Sequence, residues 1–334
     1  MATNQLQTEP DALLRLLERV KENYQALPPQ PPKRGKPPDF AARSFLLLAV
    51  VAVTLRTFRD SELHKLLAQD AGLCAALEFK RVPHRTTIGR RLSSLVAAAE
   101  AQITALGQVL VREVKPTDAQ TPTSALDGRM YQALGPRWHK ADREKGLVPV
   151  GLRNVDTEAQ WSKSGYRGWV QGYRLILQGL VFPFPVPLFA AWRPNTANEA
   201  QVAQAALATG ALVVTEVLLG DETYGKGEFP ACYRAAGGCL LAPQLLPPKH
   251  RSWKDELYAY RKETIELLFQ RIIQALDLKA CKVQGEGRNG AFVLASVWLY
   301  QLCFLVDYRA GKPIAQVKEH LDYARWRIPG DSIH

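Results

Sequence analysis

Cysteine is scarce in this 334-residue sequence: five residues, Cys74, Cys232, Cys239, Cys281 and Cys303, lie far apart. An odd number with no CxxC and no His-spaced partner argues against a disulfide framework and a zinc-finger type of site. Buried reduced thiols in a cytosolic chain are expected instead. Long hydrophobic runs are also missing. The longest, Phe45 to Leu55 and Phe292 to Val306, cover 11 and 15 residues, short of the ~20 that cross a bilayer. Both are expected as buried core helices in a soluble protein with no membrane partner. Residues 1–12 carry Glu9 and Asp11 and no apolar run, so no secretory leader is expected. Acidic residues are in deficit: 32 Asp and Glu face 43 Lys and Arg, a net charge of +11. That excess suits a polyanionic partner, nucleic acid or an acidic membrane surface. With 47% hydrophobic and 22% charged residues the chain is not disordered as a whole, and its length allows one large or two modest cores.

Along the chain, residues 10–26 show helical spacing through Leu13, Leu14, Leu17, Val20 and Tyr24. The proline-rich basic stretch 28–38 cannot continue that helix and reads as a stiff linker or spacer. Helices are expected over 40–57 and 61–68. Pro83 then marks a break, Thr86 or Thr87 is a good N-cap, and one long apolar-periodic helix is expected to run toward Val114. Its first turns expose Arg85, Arg90 and Arg91, either as the reading helix of a helix-turn-helix or as a solvated face. After Lys115-Pro116 the texture alternates. Strands are expected at 124–126, 172–177, 186–191, 211–214, 217–219 and 238–242, and helices at 198–209 and 262–276. The outcome is an α/β fold, a mixed sheet flanked by helices and preceded by an all-helical region. The expected boundaries are an N-terminal helix (1–27), a linker (28–38), a helical region that is the candidate for DNA contact (39–115), an α/β domain (116–310) and a C-terminal tail (311–334).

Three acidic residues stand out. Asp127 follows Ser124-Ala125-Leu126 and Asp221 follows Leu218-Leu219-Gly220, each where a buried strand is expected to run out, the place where open α/β sheets put their sites. Taken singly, each could equally form a turn or cap a helix. Glu266 lies about 100° off a buried helical stripe of Ile265, Leu268, Phe269, Ile272 and Leu276, so it would flank the sheet; its plain alternative is a surface pair with Lys262. Three carboxylates converging near strand ends would bind two Mg²⁺ ions through oxygen, with substrate phosphate completing the shell. Two such ions activate the attacking oxygen and stabilise the leaving one in phosphoryl transfer.

In these residues the sequence resembles the DDE transposases of bacterial insertion sequences. The likeness runs through Leu126-Asp127-Gly128, Trp161 to Ser164, Gly172 to Leu175, Pro187 through Asn195-Thr196-Ala197-Asn198-Glu199, Leu218 to Gly225, Gly238 to Pro243, and Ile265 to Phe269. It covers residues 120–308, with Gly220-Asp221-Glu222-Thr223-Tyr224-Gly225 its most specific piece. It implies an RNase H-like catalytic fold and a metal-binding triad of Asp127, Asp221 and Glu266, served by two Mg²⁺ with Mn²⁺ as substitute. It also implies cleavage at transposon ends by an activated water, then attack of the freed 3′-hydroxyl on target DNA. Many members place a Tyr, an Arg and a Lys at −7, −4 and +7 from the Glu; here those positions hold Ala259, Lys262 and Ile273. Either the motif is absent, or the register is shifted and Glu263 is the ligand. Candidate DNA contacts are Arg85, Arg90, Arg91, His139, Lys140, Arg174, Lys249, Arg251, Lys262 and Arg288, with Arg143, His250 and Lys254 nearby and Trp253 as a stacking candidate. The expected partners are double-stranded DNA, as inverted-repeat ends and as target, and a second copy of the chain on that DNA. The expected place is the bacterial cytoplasm, at the nucleoid. The competing functions are a silent DNA-binding regulator and a metal-dependent nuclease that joins no strands.

Overall fold

A mixed sheet, six-stranded among the described residues, organises the chain. A computed structural model describes residues 12–25, 39–117, 120–148, 154–165, 167–245, 256, 259–276, 278–312 and 320. The linker at 28–38, the tail beyond 320, and Lys249, His250, Arg251, Trp253 and Lys254 lie outside them.

Among the described residues six helices come first: α1 (Ala12–Glu22), α2 (Ala42–Leu55), α3 (Asp60–Gln69), α4 (Ala71–Ala76), α5 (Arg85–Ser93) and α6 (Val96–Glu113). The expected helix from residue 86 to Val114 is in fact two, α5 and α6, meeting at 56°. At the break, Ser93 and Ser94 turn their hydroxyls back onto the Gly89 and Arg91 carbonyls (2.9 and 2.8 Å), local bonds that compete with helix continuation. The cap of α5 is His84 rather than a threonine; its Nδ1 accepts from the Thr86 N–H.

The sheet follows: β1 (Thr123–Gln132), α7 (Lys140–Glu144), β2 (Gln160–Ser164), β3 (Gly168–Leu180), β4 (Val186–Pro194), α8 (Glu199–Ala208), β5 (Val217–Leu219), α9 (Phe229–Ala235) and β6 (Cys239–Leu241). β3 pairs antiparallel with β1, β2 and β4; β5 runs parallel to both β1 and β6. The proposed strand at 211–214 does not form, whereas β2 does and β1 is much longer than expected. A π-helical turn (Lys262–Glu266) then leads into α10 (Leu267–Leu276), and α11 (Glu286–Arg309) closes the fold.

Strand alternation sends Ala125, Tyr131, Leu175 and Leu177 to one face and Leu126 and Ile176 to the other. The first face shares a core with α1, α2, α5, α6, α10 and α11 that reaches from Leu13 to Leu305. The second is covered by α8 and α9. α11 has 24 residues, longer than its apolar run suggested and long and apolar enough to cross a membrane by length and composition. Here it is a core strut: Trp298, Leu299 and Tyr300 are fully buried, and the Gln301 amide donates to the Ile103 and Pro187 carbonyls at 3.0 and 2.9 Å.

Candidate functional site

Asp127 and Asp221 come together through strand register. β1 and β5 pair in parallel as Thr123↔Val217, Ser124↔Leu218 and Ala125↔Leu219. Asp127 stands two residues beyond the last pair on β1, and Asp221 two residues beyond it in the loop that leaves β5, so the pairing brings both to the same end of the β1–β5 ladder. Asp127 is not at a strand end, as the sequence suggested: β1 continues to Gln132 against β3. What ends there is its pairing with β5, which leaves that edge of β1 open beside Asp127.

The Asp221 loop is built locally. Its Oδ1 accepts from the Thr223 N–H at 2.8 Å, an Asx turn. Tyr224 is fully buried and donates its hydroxyl to Glu199 Oε2 at 2.9 Å. Glu199 opens α8 beside its cap Asn198, is 8% exposed, and takes an ion pair from Arg174 on β3. Its carboxylate lies flat on Gly128: a Cβ there would come within 2.4 Å of the Glu199 carboxyl carbon. A glycine inside a strand commonly marks such a close approach.

On the Asp127 side, Arg261 Nη1 donates to Asp127 Oδ2 at 2.8 Å, and the Gly128 N–H donates to Oδ1 at 2.8 Å. Burial nevertheless pushes the Asp127 carboxyl up to about 6. Arg261 pulls it down, the charges of Glu199 and Asp221 raise it further, and the Gly128 N–H lowers it. Glu199 is likewise raised, first by burial; Arg174 and the Tyr224 hydroxyl oppose this, Asp221 adds to it, and Arg261 lowers it. Asp127, Glu199 and Asp221 therefore form one electrostatic cluster, offset by Arg174 and Arg261.

Glu266 is not in that cluster. Arg261 immediately precedes the π turn and Glu266 ends it, five residues on, which is one turn of a π-helix. Ile265 is fully buried while Glu266 is exposed. Its charge acts on Arg129, the residue two along β1 from Asp127. The carboxylates and cations thus alternate across the two elements, Arg261 over Asp127 and Glu266 by Arg129. Glu263, the alternative ligand, is exposed as well.

A hard divalent cation needs several oxygen ligands around one point. Asp127 has one oxygen held by Arg261, both Glu199 oxygens are engaged, and Glu266 lies toward Arg129. Among the described residues no group of three His, Cys, Asp or Glu side chains converges to hold a metal ion. The three-carboxylate, two-Mg²⁺ arrangement does not fit these residues as they stand. The arrangement does offer a carboxyl group pushed up to about 6, beside the Arg261 and Arg174 guanidinium groups that pair with Asp127 and Glu199.

The other candidates divide sharply. Arg85 and Arg90 are exposed on α5, and Lys262 on the π turn. His139 caps α7 from an exposed position and Lys140 opens that helix. Arg91 faces inward, donating to the Phe40 carbonyl at 2.9 Å and lying over the Phe45 ring. Arg174, expected on the DNA path, is instead consumed by the buried pair with Glu199. Arg288 bridges to Asp60 at 3.0 Å. Arg261 and Glu199 are the members of the cluster that were not among the candidate site residues, although Glu199 ends the Pro187–Glu199 stretch of the likeness.

No protein-family model and no curated protein matches the chain. Among solved structures, the piggyBac transposase synaptic complex with hairpin DNA is similar over 99% of this chain and 84% of its own, with 8% identity and a TM-score of 0.43. The Mos1 transposase paired-end complex with left transposon end gives 13% identity and a TM-score of 0.22, over 86% of this chain and 85% of its own. The Mos1 mariner paired-end complex with Mn has the same identity and coverage and a TM-score of 0.23. Likeness of this extent transfers no residue role.

Proposed function

We propose that the chain is a DNA transposase, with an RNase H-like catalytic unit that cuts and joins strands at the Asp127–Asp221 centre. The observation that supports this reading is the parallel β1–β5 pairing, beyond whose end Asp127 and Asp221 act on one another electrostatically, in a chain of net charge +11. Four strands joined by antiparallel pairing (β1 to β4) and continued by two parallel ones (β5 and β6) agree with the mixed sheet that the motif resemblance implies. The substrate is double-stranded DNA, as repeat ends and as target, held by two copies of the chain at the bacterial nucleoid.

Within this reading Asp127 and Asp221 are catalytic, and Arg261 and Arg129 face substrate phosphate. Mg²⁺ or Mn²⁺ belongs to the reading as a requirement of the reaction. Asp127 and Asp221 would be the residues to hold such an ion, which would activate the attacking oxygen; among the described residues no third carboxylate completes the set.

The test uses labelled DNA carrying the inverted repeats that flank the coding sequence, a supercoiled target plasmid, and Mg²⁺ or Mn²⁺. Cation-dependent cutting at the repeat end followed by joined product, both lost in Asp221→Ala while binding persists, supports transposition. Cuts without joining leave a nuclease. Binding without any cut leaves a DNA-binding regulator.

A further inference from the structure

The candidate DNA contacts in the sequence fall in both the helical region and the α/β part; the structure brings Arg85 and Arg90 of α5 opposite Lys282 and Arg288 and adds Arg59 beside them. Two adjoining clefts run between α5 and the start of α11. One, of about 770 Å³, is lined by Arg59, Arg85, Lys282 and Arg288, with residues 134–136 as its floor. The other, of about 510 Å³, is lined by Thr86, Gly89, Arg90 and Ser93 of α5 and by residues 155–158 and 284–288 opposite. They share Asp60, Thr86, Gln284 and Arg288, so they form one trench with α5 along its wall.

The charges in the trench are unevenly spent. Asp60 is held by Arg288 and lies so close to α5 that a Cβ on Gly89 would come within 2.3 Å of its Oδ2. Asp156 accepts from the Tyr173 hydroxyl and the Gly285 N–H (2.8 and 3.0 Å), and Glu158 accepts from the Glu286 N–H at 2.6 Å. Asp156 and Glu158 are held by neutral donors and keep their negative charge at the smaller cleft, so the excess of cations lies in the larger one, where Asp60 alone faces Arg59, Arg85, Lys282 and Arg288. Arg59, Arg85 and Arg90 stand exposed; Arg59 meets Glu62 only at 3.6 Å.

We propose that this trench binds the phosphodiester backbone of duplex nucleic acid, so that the binding surface is shared between the helical region and the sheet-bearing part of the chain. The inference rests on the DNA reading above and names residues that reading does not use, Arg59 and Lys282. Its length argues for a polymer over a small anion. The nine residues of α5 extend about 13 Å, the rise of roughly four nucleotides of one strand. A single phosphate would engage one end only. Arg91, half-buried with its guanidinium on the Phe40 carbonyl and the Phe45 ring, takes no part.

The test compares wild type, Arg59→Gln/Arg85→Gln and a distant pair, Arg112→Gln/Lys312→Gln, which lies toward the opposite end of α11. Fluorescence anisotropy measures binding of a random duplex of about 20 bp across a KCl series. Each lost phosphate contact lowers the salt slope by about 0.9. The trench pair should flatten the slope by about 2 and weaken binding about tenfold near 100 mM salt, with the distant pair close to wild type. Equal effects of the two pairs, or none from the trench pair, overturn the trench and leave the DNA reading standing. A wild type that binds no duplex overturns both. Thermal stabilisation of wild type by inorganic pyrophosphate, lost in the trench pair while duplex binding is unchanged, would make it a small-anion pocket and also overturn the proposal.

Discussion

Asp127 is held between burial, which disfavours its charge, and the Arg261 guanidinium and Gly128 N–H, which favour it. Burial wins, and the carboxyl rises from the ordinary 3.8 to about 6. A folded pKa above the unfolded one means that the folded chain binds the extra proton between about pH 4 and 6. The contribution of Asp127 to stability is complete below that window and is lost as pH rises through it. Without divalent cation, the melting temperature of Asp127→Asn relative to wild type should therefore climb from pH 4 to 6 and then level off. About two pH units correspond to roughly 3 kcal/mol at most. A difference that is flat with pH would show that Asp127 is ionised throughout. Asp127 and Asp221 were legible because each follows a short apolar run. Glu199 was not, because an acid just after an Asn N-cap looks like ordinary first-turn charge. The one hint was Gly128, a glycine in a strand interior with no side chain to collide with that carboxylate.

Elements were more legible in kind than in extent. The apolar stripe of the late helix is real: Ile265, Leu268, Phe269 and Ile272 are all buried. A 3.6-residue period, however, cannot register the π turn that precedes it; Arg261 just before this turn takes the place over Asp127, and Glu266 at its end is exposed on the side of Arg129. β1 was read short because Asp127, Gly128 and Arg129 break its apolar pattern; antiparallel pairing with the apolar β3 carries it through. Asp156 illustrates an element junction invisible in sequence. Its buried carboxylate collects the Tyr173 hydroxyl, the Gly285 N–H and the Glu158 N–H, fixing the start of α11 to β3. Asp156→Ala strands buried donors and should cost about 2–4 kcal/mol. Urea denaturation should show a lower midpoint with an unchanged m-value; a midpoint within error of wild type would mean that the junction is held elsewhere.

At the scale of the molecule, the helical region and the sheet share one core. Glu100 on α6 accepts from the Trp192 N–H at 2.8 Å and pairs with Arg193 of β4, and α11 packs between α6, α2 and β4. Such long-range packing has no local signature, which is why composition suggested a boundary near residue 115. Calorimetry of the whole chain should give a single transition, and residues 116–312 expressed alone should be insoluble; a soluble, cooperatively folded fragment would contradict the shared core. The account as a whole stands on the Asp127–Asp221 centre. The most direct measurement is single-turnover nicking of repeat-end DNA with Mg²⁺ or Mn²⁺ by wild type, Asp127→Asn and Asp221→Asn, with DNA binding recorded alongside. The account predicts that both variants bind like wild type and cut roughly 10³-fold more slowly. Cutting by either variant at the wild-type rate, or none by wild type, would contradict it.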